Sequence, residues 1–310
     1  MSRWAVIFPG QGSQTVGMGW ELFQHYSSAK LAFEEADDAL GYPLSRAIFE
    51  GPAETLEDTE VQQPGILVVS VACWRALKQE RPQFQPILGL GLSLGEYSAY
   101  VAAGAIRLSD AVRVTRLRGR AMQNAVPKGT GGMMAVIGLE AATVEDICRT
   151  ASRTATVDPA NYNAPGQIVV SGYLKGLDLA EALVRKAGGR TARLRVSAPF
   201  HSRLLEPAGL ALREALAHVG LSSAAFPIVA NVDAEYCREP DDIVNRLVAQ
   251  VYRPVRFEAS VRRAINDGVE HFLELGPGKS LASLVKKIDR AQTPLSVENP
   301  QGLGKALELV

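Results

Sequence analysis

Gly91-Leu92-Ser93-Leu94-Gly95 places a serine between two glycines, where an apolar run at residues 86–92 meets a helical pattern at residues 95–103. A strand that turns sharply into a helix needs small neighbours around the turn, and the serine at its apex is left with an exposed hydroxyl. A chain organised around such a turn is constrained to strands that feed directly into helices, which is α/β character. The helix that follows would aim free N–H groups and its positive end at the hydroxyl, so the Leu94 N–H could donate to an oxyanion. The same pentapeptide also arises by chance in loops of a chain with 28 glycines, so its position at the turn says more than its composition.

Other segments fit the same class. Residues 4–8 form a short apolar run closed by Pro9-Gly10, the profile of a buried strand. Residues 28–40 carry Leu31, Ala32, Ala36, Ala39 and Leu40 at helical spacing, and Pro64 opens a second apolar helix that runs to Leu77. Residues 127–132 (PKGTGG) read as a linker. Beyond it the pattern becomes strand 133–139, helix 143–152, strands 154–161 and 167–171, helix 177–187 and strand 191–196. That order is βαββαβ, a ferredoxin-like unit. Strands near residues 228–231 and 271–275 return to the first pattern. The expected layout is a large α/β domain at 1–128 and 197–310, interrupted by a subdomain at 129–196.

A nucleophilic serine needs a base, and histidine is the usual one because it titrates near neutrality. Of the four histidines, His25 and His218 fall in helical patterns and His271 opens an apolar strand. His201 lies in the loop Ser197-Ala198-Pro199-Phe200-His201-Ser202, where catalytic groups are commonly presented. A histidine with a purely structural role is the competing reading. Arg118 stands apart from Arg113, Arg116 and Arg120: with Arg113 at 0°, those three cluster between roughly 300° and 360°, whereas Arg118 falls near roughly 140°, beside the apolar face. An inward arginine needs an anion, either a ligand carboxylate or an internal Asp or Glu.

Gly10-Gln11-Gly12-Ser13-Gln14 could approach an anion with backbone N–H groups, but its glycine spacing does not match a dinucleotide fingerprint. Gly276-Pro277-Gly278-Lys279 reads as a tight turn before a helix. No His or Cys pair has metal-ligand spacing, and the three distant cysteines suit a reducing compartment. Thirty-three basic and thirty-three acidic residues balance, so no global field favours nucleic acid or an anionic membrane. The apolar run at 66–74 is far short of the roughly 20 residues that span a bilayer. No secretory signal is evident at the N-terminus, and a soluble cytoplasmic protein is expected.

Taken together, Pro9 to Gln14, the Ser93 turn continued by Glu96-Tyr97, and Arg118-Gly119-Arg120-Ala121-Met122-Gln123 resemble the malonyl-CoA:acyl-carrier-protein transacylase family. Asn161-Tyr162-Asn163-Ala164-Pro165-Gly166-Gln167, Phe200-His201-Ser202, Asn231-Val232-Asp233, Gln250 with Tyr252-Arg253-Pro254-Val255, and Gly276 to Lys279 continue the likeness in order along nearly the whole chain. The resemblance implies a hydrolase-like parallel-sheet domain with an inserted ferredoxin-like subdomain. It also implies a ping-pong transfer of malonyl from malonyl-CoA to the phosphopantetheine thiol of acyl carrier protein through a malonyl-Ser93 ester, in fatty acid biosynthesis, with no cofactor and a monomeric enzyme.

By the same resemblance His201 is the base, the Gln250 backbone carbonyl fixes its tautomer, and the N–H groups of Gln11 and Leu94 form the oxyanion hole. Arg118 binds the free malonyl carboxylate, and Asn163 and Gln167 lie near the cleft that admits coenzyme A or the phosphopantetheine arm. Many members have histidine before the nucleophile, where this chain has Leu92. Phe200, by similarity to polyketide acyltransferase domains, suits malonyl over methylmalonyl. An acidic carrier would dock on a basic patch, with Lys286, Lys287 and Arg290 on a C-terminal helix, or Lys186 and Arg190, as candidates. A polyketide or malonate decarboxylase malonyl transferase is the runner-up, and a serine esterase is the alternative from the turn alone.

Overall fold

Five consecutive apolar residues, buried without exception, form β1 (Trp4–Phe8). Trp4, Val6 and Phe8 pack into one apolar cluster and Ala5 and Ile7 into another, so the strand is covered on both faces, as a central parallel strand must be. These observations come from a computed structural model that describes residues 2–196 and 198–310. Met1 lies outside the described residues, as does Ser197, where the second stretch of the large domain is expected to begin.

Five helices follow β1: α1 (Trp20–His25), α2 (Ser27–Leu40), α3 (Leu44–Glu50), α4 (Ala53–Glu57) and α5 (Thr59–Glu80). Then come β2 (Leu88–Gly91), α6 (Gly95–Ala102) and α7 (Leu108–Gln123). Pro64 does not open a helix. It lies inside the 22-residue α5, which is capped by Asp58, whose side chain accepts from the Glu60 N–H at 3.0 Å. The capping carboxylate outweighs the proline signal, because burial against α7 sustains the helix on both sides of Pro64.

The middle of the chain forms β3 (Gly131–Ile137), α8 (Ala141–Ala151), β4 (Val157–Ala164), β5 (Gln167–Tyr173), α9 (Leu174–Lys186) and β6 (Arg190–Arg193). Its antiparallel sheet has the order β4-β5-β3-β6 and its own apolar cluster, including Met134, Val144, Ile168 and Leu177. The βαββαβ order expected from the sequence is therefore the order found. β4 starts three residues later than its apolar pattern suggests, because the Ser152 hydroxyl bonds both the N–H and the carbonyl of Val157 and closes a turn first. Pro159 is tolerated because β4 is an edge strand with a register shift there. β6 ends at Arg193, so residues 194–196 leave the sheet.

The remainder comprises a 3₁₀ turn (Arg203–Leu205), α10 (Glu206–Leu216), β7 (Ile228–Val229), β8 (Tyr236–Cys237), α11 (Pro240–Tyr252) and α12 (Phe257–Asn266). β9 (His271–Leu275), α13 (Ser280–Ile288), β10 (Leu295–Val297) and α14 (Pro300–Leu307) complete the chain. The large sheet has the order β10-β9-β1-β2-β7-β8, parallel except for β8. The small sheet is tied to the segment between α11 and α12, where Tyr162 N–H donates to the Val255 carbonyl and Val255 N–H to the Ala160 carbonyl, each at 2.8 Å. Arg290, expected on a C-terminal helix with Lys286 and Lys287, lies beyond the end of α13. No described helix is long and apolar enough to cross a membrane.

Candidate active site

Parallel pairing sets Phe8 opposite Gly91, so the loop after β1 and the turn after β2 leave the sheet side by side at its carboxyl edge. That edge is where open α/β sheets place their ligands. The flanking glycines are required by contact: a Cβ on Gly91 would come within 2.0 Å of the Gly95 carbonyl carbon, and one on Gly95 within 1.9 Å of the Phe8 oxygen. Ser93 itself has φ 53°, a left-handed conformation costing about 1–3 kcal/mol that persists only when neighbours enforce it. They do so here. Its N–H donates to Asn231 Oδ1 at 2.7 Å, and its carbonyl accepts from Gln250 Nε2 at 2.8 Å.

Ser93 Oγ lies 2.7 Å from His201 Nε2, and His201 Nδ1 lies 2.7 Å from the Gln250 backbone oxygen. A carbonyl only accepts, so Nδ1 carries the proton and Nε2 presents its lone pair to the serine. The Gln250 carbonyl is free for this task because the residue four positions on is Pro254, which has no N–H to complete the last turn of α11. Burial first, and then the nearby Arg118 charge, drive the His201 pKa down to about 3, so the ring is neutral. His201 also has a left-handed backbone, φ 58°. Its loop is fastened one residue on, where the Ser202 hydroxyl and the Arg203 N–H donate to Asp158 Oδ2 at 3.0 Å each.

Arg118 is 1% exposed. Nη1 donates to Gln63 Oε1 at 2.7 Å, and Nη2 donates to both Ser93 Oγ and Gln250 Oε1 at 3.0 Å. Nε is buried and has no partner among the described residues, and the acceptors bonded to the guanidinium there are neutral. The Tyr97 ring lies under it at 5.3 Å. An internal salt bridge, the alternative open at the level of sequence, is therefore not found among the described residues. The N–H groups of Gln11 and Leu94 likewise have no backbone partner there, whereas the Ser93 N–H is occupied by Asn231. Two donors without a backbone partner thus come from the loop after β1 and the turn after β2, an arrangement that an oxyanion site could use.

A cavity of about 720 Å³ opens over this cluster, lined by Gln11, Ser93, His201, Asn161, Asn163 and Phe200 among others. Leu92, in the place of the family's frequent histidine, adds an apolar patch to the wall, and residues 194–196 form part of it. Arg118 stands behind Ser93 and does not line the cavity. Gln167, expected near the cleft, is not part of the lining either. Its Oε1 accepts from Lys287 at 2.9 Å, which turns it toward α13, and the same bond occupies Lys287.

Three residues of the cluster have no assigned role at the level of sequence. Gln63 comes from α5, Asn231 from the turn after β7, and Glu96 from the first turn of α6. Glu96 is fully buried, and burial pushes its carboxyl up to about 7. Gln63 gives no local signal, because it adjoins Gln62 in the polar first turns of α5. Glu96 and Asn231 stand in the sequence blocks that carry the resemblance, but their partners come from four separate elements. Among the described residues no group of His, Cys, Asp or Glu is placed to hold a metal, and all three cysteines are buried and free.

The profile of the family described as "Acyl transferase domain" matches residues 5–299. The malonyl CoA-acyl carrier protein transacylase of Bacillus subtilis (strain 168) is 43% identical over 310 residues, covering 99% of this chain and 97% of the relative. That of Escherichia coli (strain K12) is 42% identical over 310 residues, with full coverage of both. The structure of an acyl-carrier-protein S-malonyltransferase from Burkholderia pseudomallei 1710b superimposes with TM-score 0.96 at 43% identity, covering 99% of this chain and 100% of that one. A malonyl-transacylase solved in complex with its type II PKS acyl-carrier protein gives TM-score 0.96 at 39% identity, with 99% of each chain covered. With Ser93 and His201 hydrogen-bonded at one cavity, Arg118 bonded to Ser93 from behind, and these likenesses spanning the full length of the chain, the chain belongs to the acyl transferase family, among its malonyl CoA-acyl carrier protein transacylases.

Proposed function

We propose that this enzyme moves malonyl from malonyl-CoA to the phosphopantetheine thiol of an acyl carrier protein through a malonyl-Ser93 ester, feeding fatty acid biosynthesis. The observation that carries the reading is Arg118: a buried guanidinium with Nη2 3.0 Å from Ser93 Oγ and, among the described residues, only neutral acceptors bonded to it. A malonyl ester on Oγ holds its free carboxylate three bonds from that oxygen, within reach of the guanidinium.

His201 Nε2 takes the Ser93 proton as Oγ attacks the thioester carbonyl, and the N–H groups of Gln11 and Leu94 receive the oxyanion. Collapse expels coenzyme A, whose sulfur receives the proton from His201. The carrier's thiol then gives its proton to His201 and attacks the ester, and Ser93 recovers the proton on leaving. The Gln250 carbonyl stands in for the carboxylate of a three-residue triad by holding the Nδ1–H tautomer. Phe200 narrows the cavity beside the base, which suits the unbranched malonyl unit over methylmalonyl. Asn163 serves the pantetheine arm. Residues 129–196 act as a subdomain that closes one side of the cleft, and the protein works as a cytoplasmic monomer without a cofactor.

Intact-mass measurement after mixing with malonyl-CoA tests this reading. The expected result is a malonyl adduct on the wild-type protein, absent from Ser93→Ala and discharged by holo-acyl carrier protein. Release of coenzyme A without an adduct or carrier product would identify hydrolysis instead.

A further inference from the structure

The interior around Ser93 holds two opposite charges whose side chains never touch. Among the described residues Arg118 is met by neutral acceptors and the Tyr97 ring, and Glu96, in the first turn of α6, is fully buried. One amide joins them: Gln250 Oε1 accepts from Arg118 Nη2 at 3.0 Å, and Gln250 Nε2 donates to Glu96 Oε2 at 2.7 Å. Glu96 Oε2 also accepts from the Asn231 N–H at 3.1 Å, and Oε1 receives the Tyr100 hydroxyl at 3.4 Å. A carboxylate only accepts, so Glu96 fixes which way the Gln250 amide faces. That orientation presents oxygen to Arg118, while the same residue's backbone carbonyl holds His201.

The other buried carboxylates among the described residues are committed elsewhere: Asp158 is bonded to Arg203, and Glu274 to the Leu281 and Ala282 N–H groups. The titratable and charged groups around Glu96 are Arg118 on α7, Tyr97 and Tyr100 on its own helix, His201, Asp233 after β7, and Cys237 of β8 and Arg246 of α11 around Tyr100. Asp233 is paired with Arg246 at 3.0 Å. His201 is held neutral by burial and by Arg118. With the site empty, Arg118 and an ionised Glu96 sum to zero. A bound malonyl carboxylate would leave that interior with one net negative charge, which a dry environment resists.

We propose that Glu96 is a positioning residue and the buried counter-charge of Arg118 in the empty enzyme, and that it takes one proton from solvent when an anionic acyl group arrives on Arg118. This rests on the malonyl reading above. Malonyl transfer to Ser93 is then coupled to proton uptake, and Glu96 acts through Gln250 on both the selectivity arginine and the base. That its carboxyl is already pushed up to about 7 makes the uptake accessible near neutrality.

The test is the pH dependence of Ser93 malonylation, read as kcat/KM by rapid quench and intact mass from about pH 6 to about pH 9. The wild type should decline above the Glu96 ionisation, by up to about tenfold per pH unit, and Glu96→Gln, which keeps an oxygen for Gln250, should lose the decline. Glu96→Ala, with no acceptor for Gln250, should fall at every pH and be rescued in part by Glu96→Gln. Parallel wild-type and Glu96→Gln profiles overturn the proposal. A second readout needs no variant to fold: in weak buffer near about pH 7.5, wild-type loading should consume more than roughly half a proton per malonyl-serine. No uptake overturns the proposal, as does equal uptake by Glu96→Gln, which would assign the proton to His201. A wild-type enzyme that never acquires malonyl overturns the functional reading instead.

Discussion

Two arginines flank the catalytic loop, and they are bound in opposite ways. Arg203 meets Asp158 through Nε, at 2.9 and 3.1 Å, and through Nη2, and the same carboxylate also takes the Ser202 hydroxyl and a backbone N–H. Its charge is answered within the chain, and its side chain is 67% exposed. Arg118 is buried with amide oxygens, a hydroxyl and a ring face, and one of its nitrogens has no partner. A fold that pairs one arginine so fully has no difficulty supplying carboxylates. We read the lack of a carboxylate bonded to Arg118 among the described residues as a place held for a ligand's carboxylate, and the pair at Arg203 as a brace for the His201 loop.

The sharpest way to break that comparison is to remove each member in turn. Arg118→Ala takes away an anion's only cation, and losing one partner of a buried pair costs about 3–5 kcal/mol, roughly two to three-and-a-half orders of magnitude in kcat/KM for malonyl transfer. Acetyl transfer should fall far less, so the ratio of malonyl to acetyl transfer in a competition assay collapses. An unchanged ratio would sink the assignment. Thermal stability should change little near neutrality, because Glu96, left without its counter-charge, can take up a proton.

Asp158→Ala should behave in reverse. It strips several acceptors from one loop, but Arg203 is largely solvated, so the loss of stability is about 1–2 kcal/mol, well below a fully buried pair. It should appear as a lower Tm and a lower kcat, from a less well-held His201. The malonyl-to-acetyl ratio should stay put. A change in that ratio would mean the two arginines are not separable.

His201 belongs to the Arg118 side of the comparison, because that charge helps keep it neutral. With its pKa driven down to about 3, the acid limb that an ordinary histidine gives near 6.5 should be missing, and kcat/KM should hold from about pH 7 down to about pH 5. Stability carries the same sign. A folded pKa below the unfolded one means the unfolded chain binds the proton first, so the contribution is complete above 6.5 and lost as pH falls from there toward 3. An activity limb centred on 6.5 would show that Arg118 and burial do not govern the ring.

What the sequence reveals divides along similar lines. Ser93 is legible because the turn demands Gly91 and Gly95 locally, and Arg118 because a helix converts spacing into direction. The βαββαβ order is legible because each element has its own periodicity. The helix that begins at Thr59 was hidden behind Pro64, a local signal overridden by a cap and by packing. Gln63, Glu96 and Asn231 were hidden for a different reason: each is one end of a hydrogen bond whose other end is 55 to 154 residues away. The free Gln250 carbonyl was in fact written in the sequence as Pro254 four residues on, a signal that means something only once α11 is known to end there.

The smallest effect repeats the contrast between filled and unfilled groups on the β4–β5 hairpin. Asn163 lines the cavity, and its buried Oδ1 has no partner among the described residues, so it is an acceptor in want of a donor. The pantetheine arm carries amide N–H groups that can supply one. Gln167, four residues along, has given its oxygen to Lys287 outside the cavity. Asn163→Ala should raise KM for malonyl-CoA by about 3- to 10-fold with kcat nearly constant, the worth of one ordinary hydrogen bond of about 0.5–1.5 kcal/mol. Gln167→Ala should leave KM within about twofold, since its partner is a solvated lysine. Because the two variants sit on one hairpin, any general loosening of β4 and β5 would raise KM in both. A larger effect from Gln167→Ala than from Asn163→Ala would place the arm on the α13 side of the hairpin, away from the cavity over Ser93.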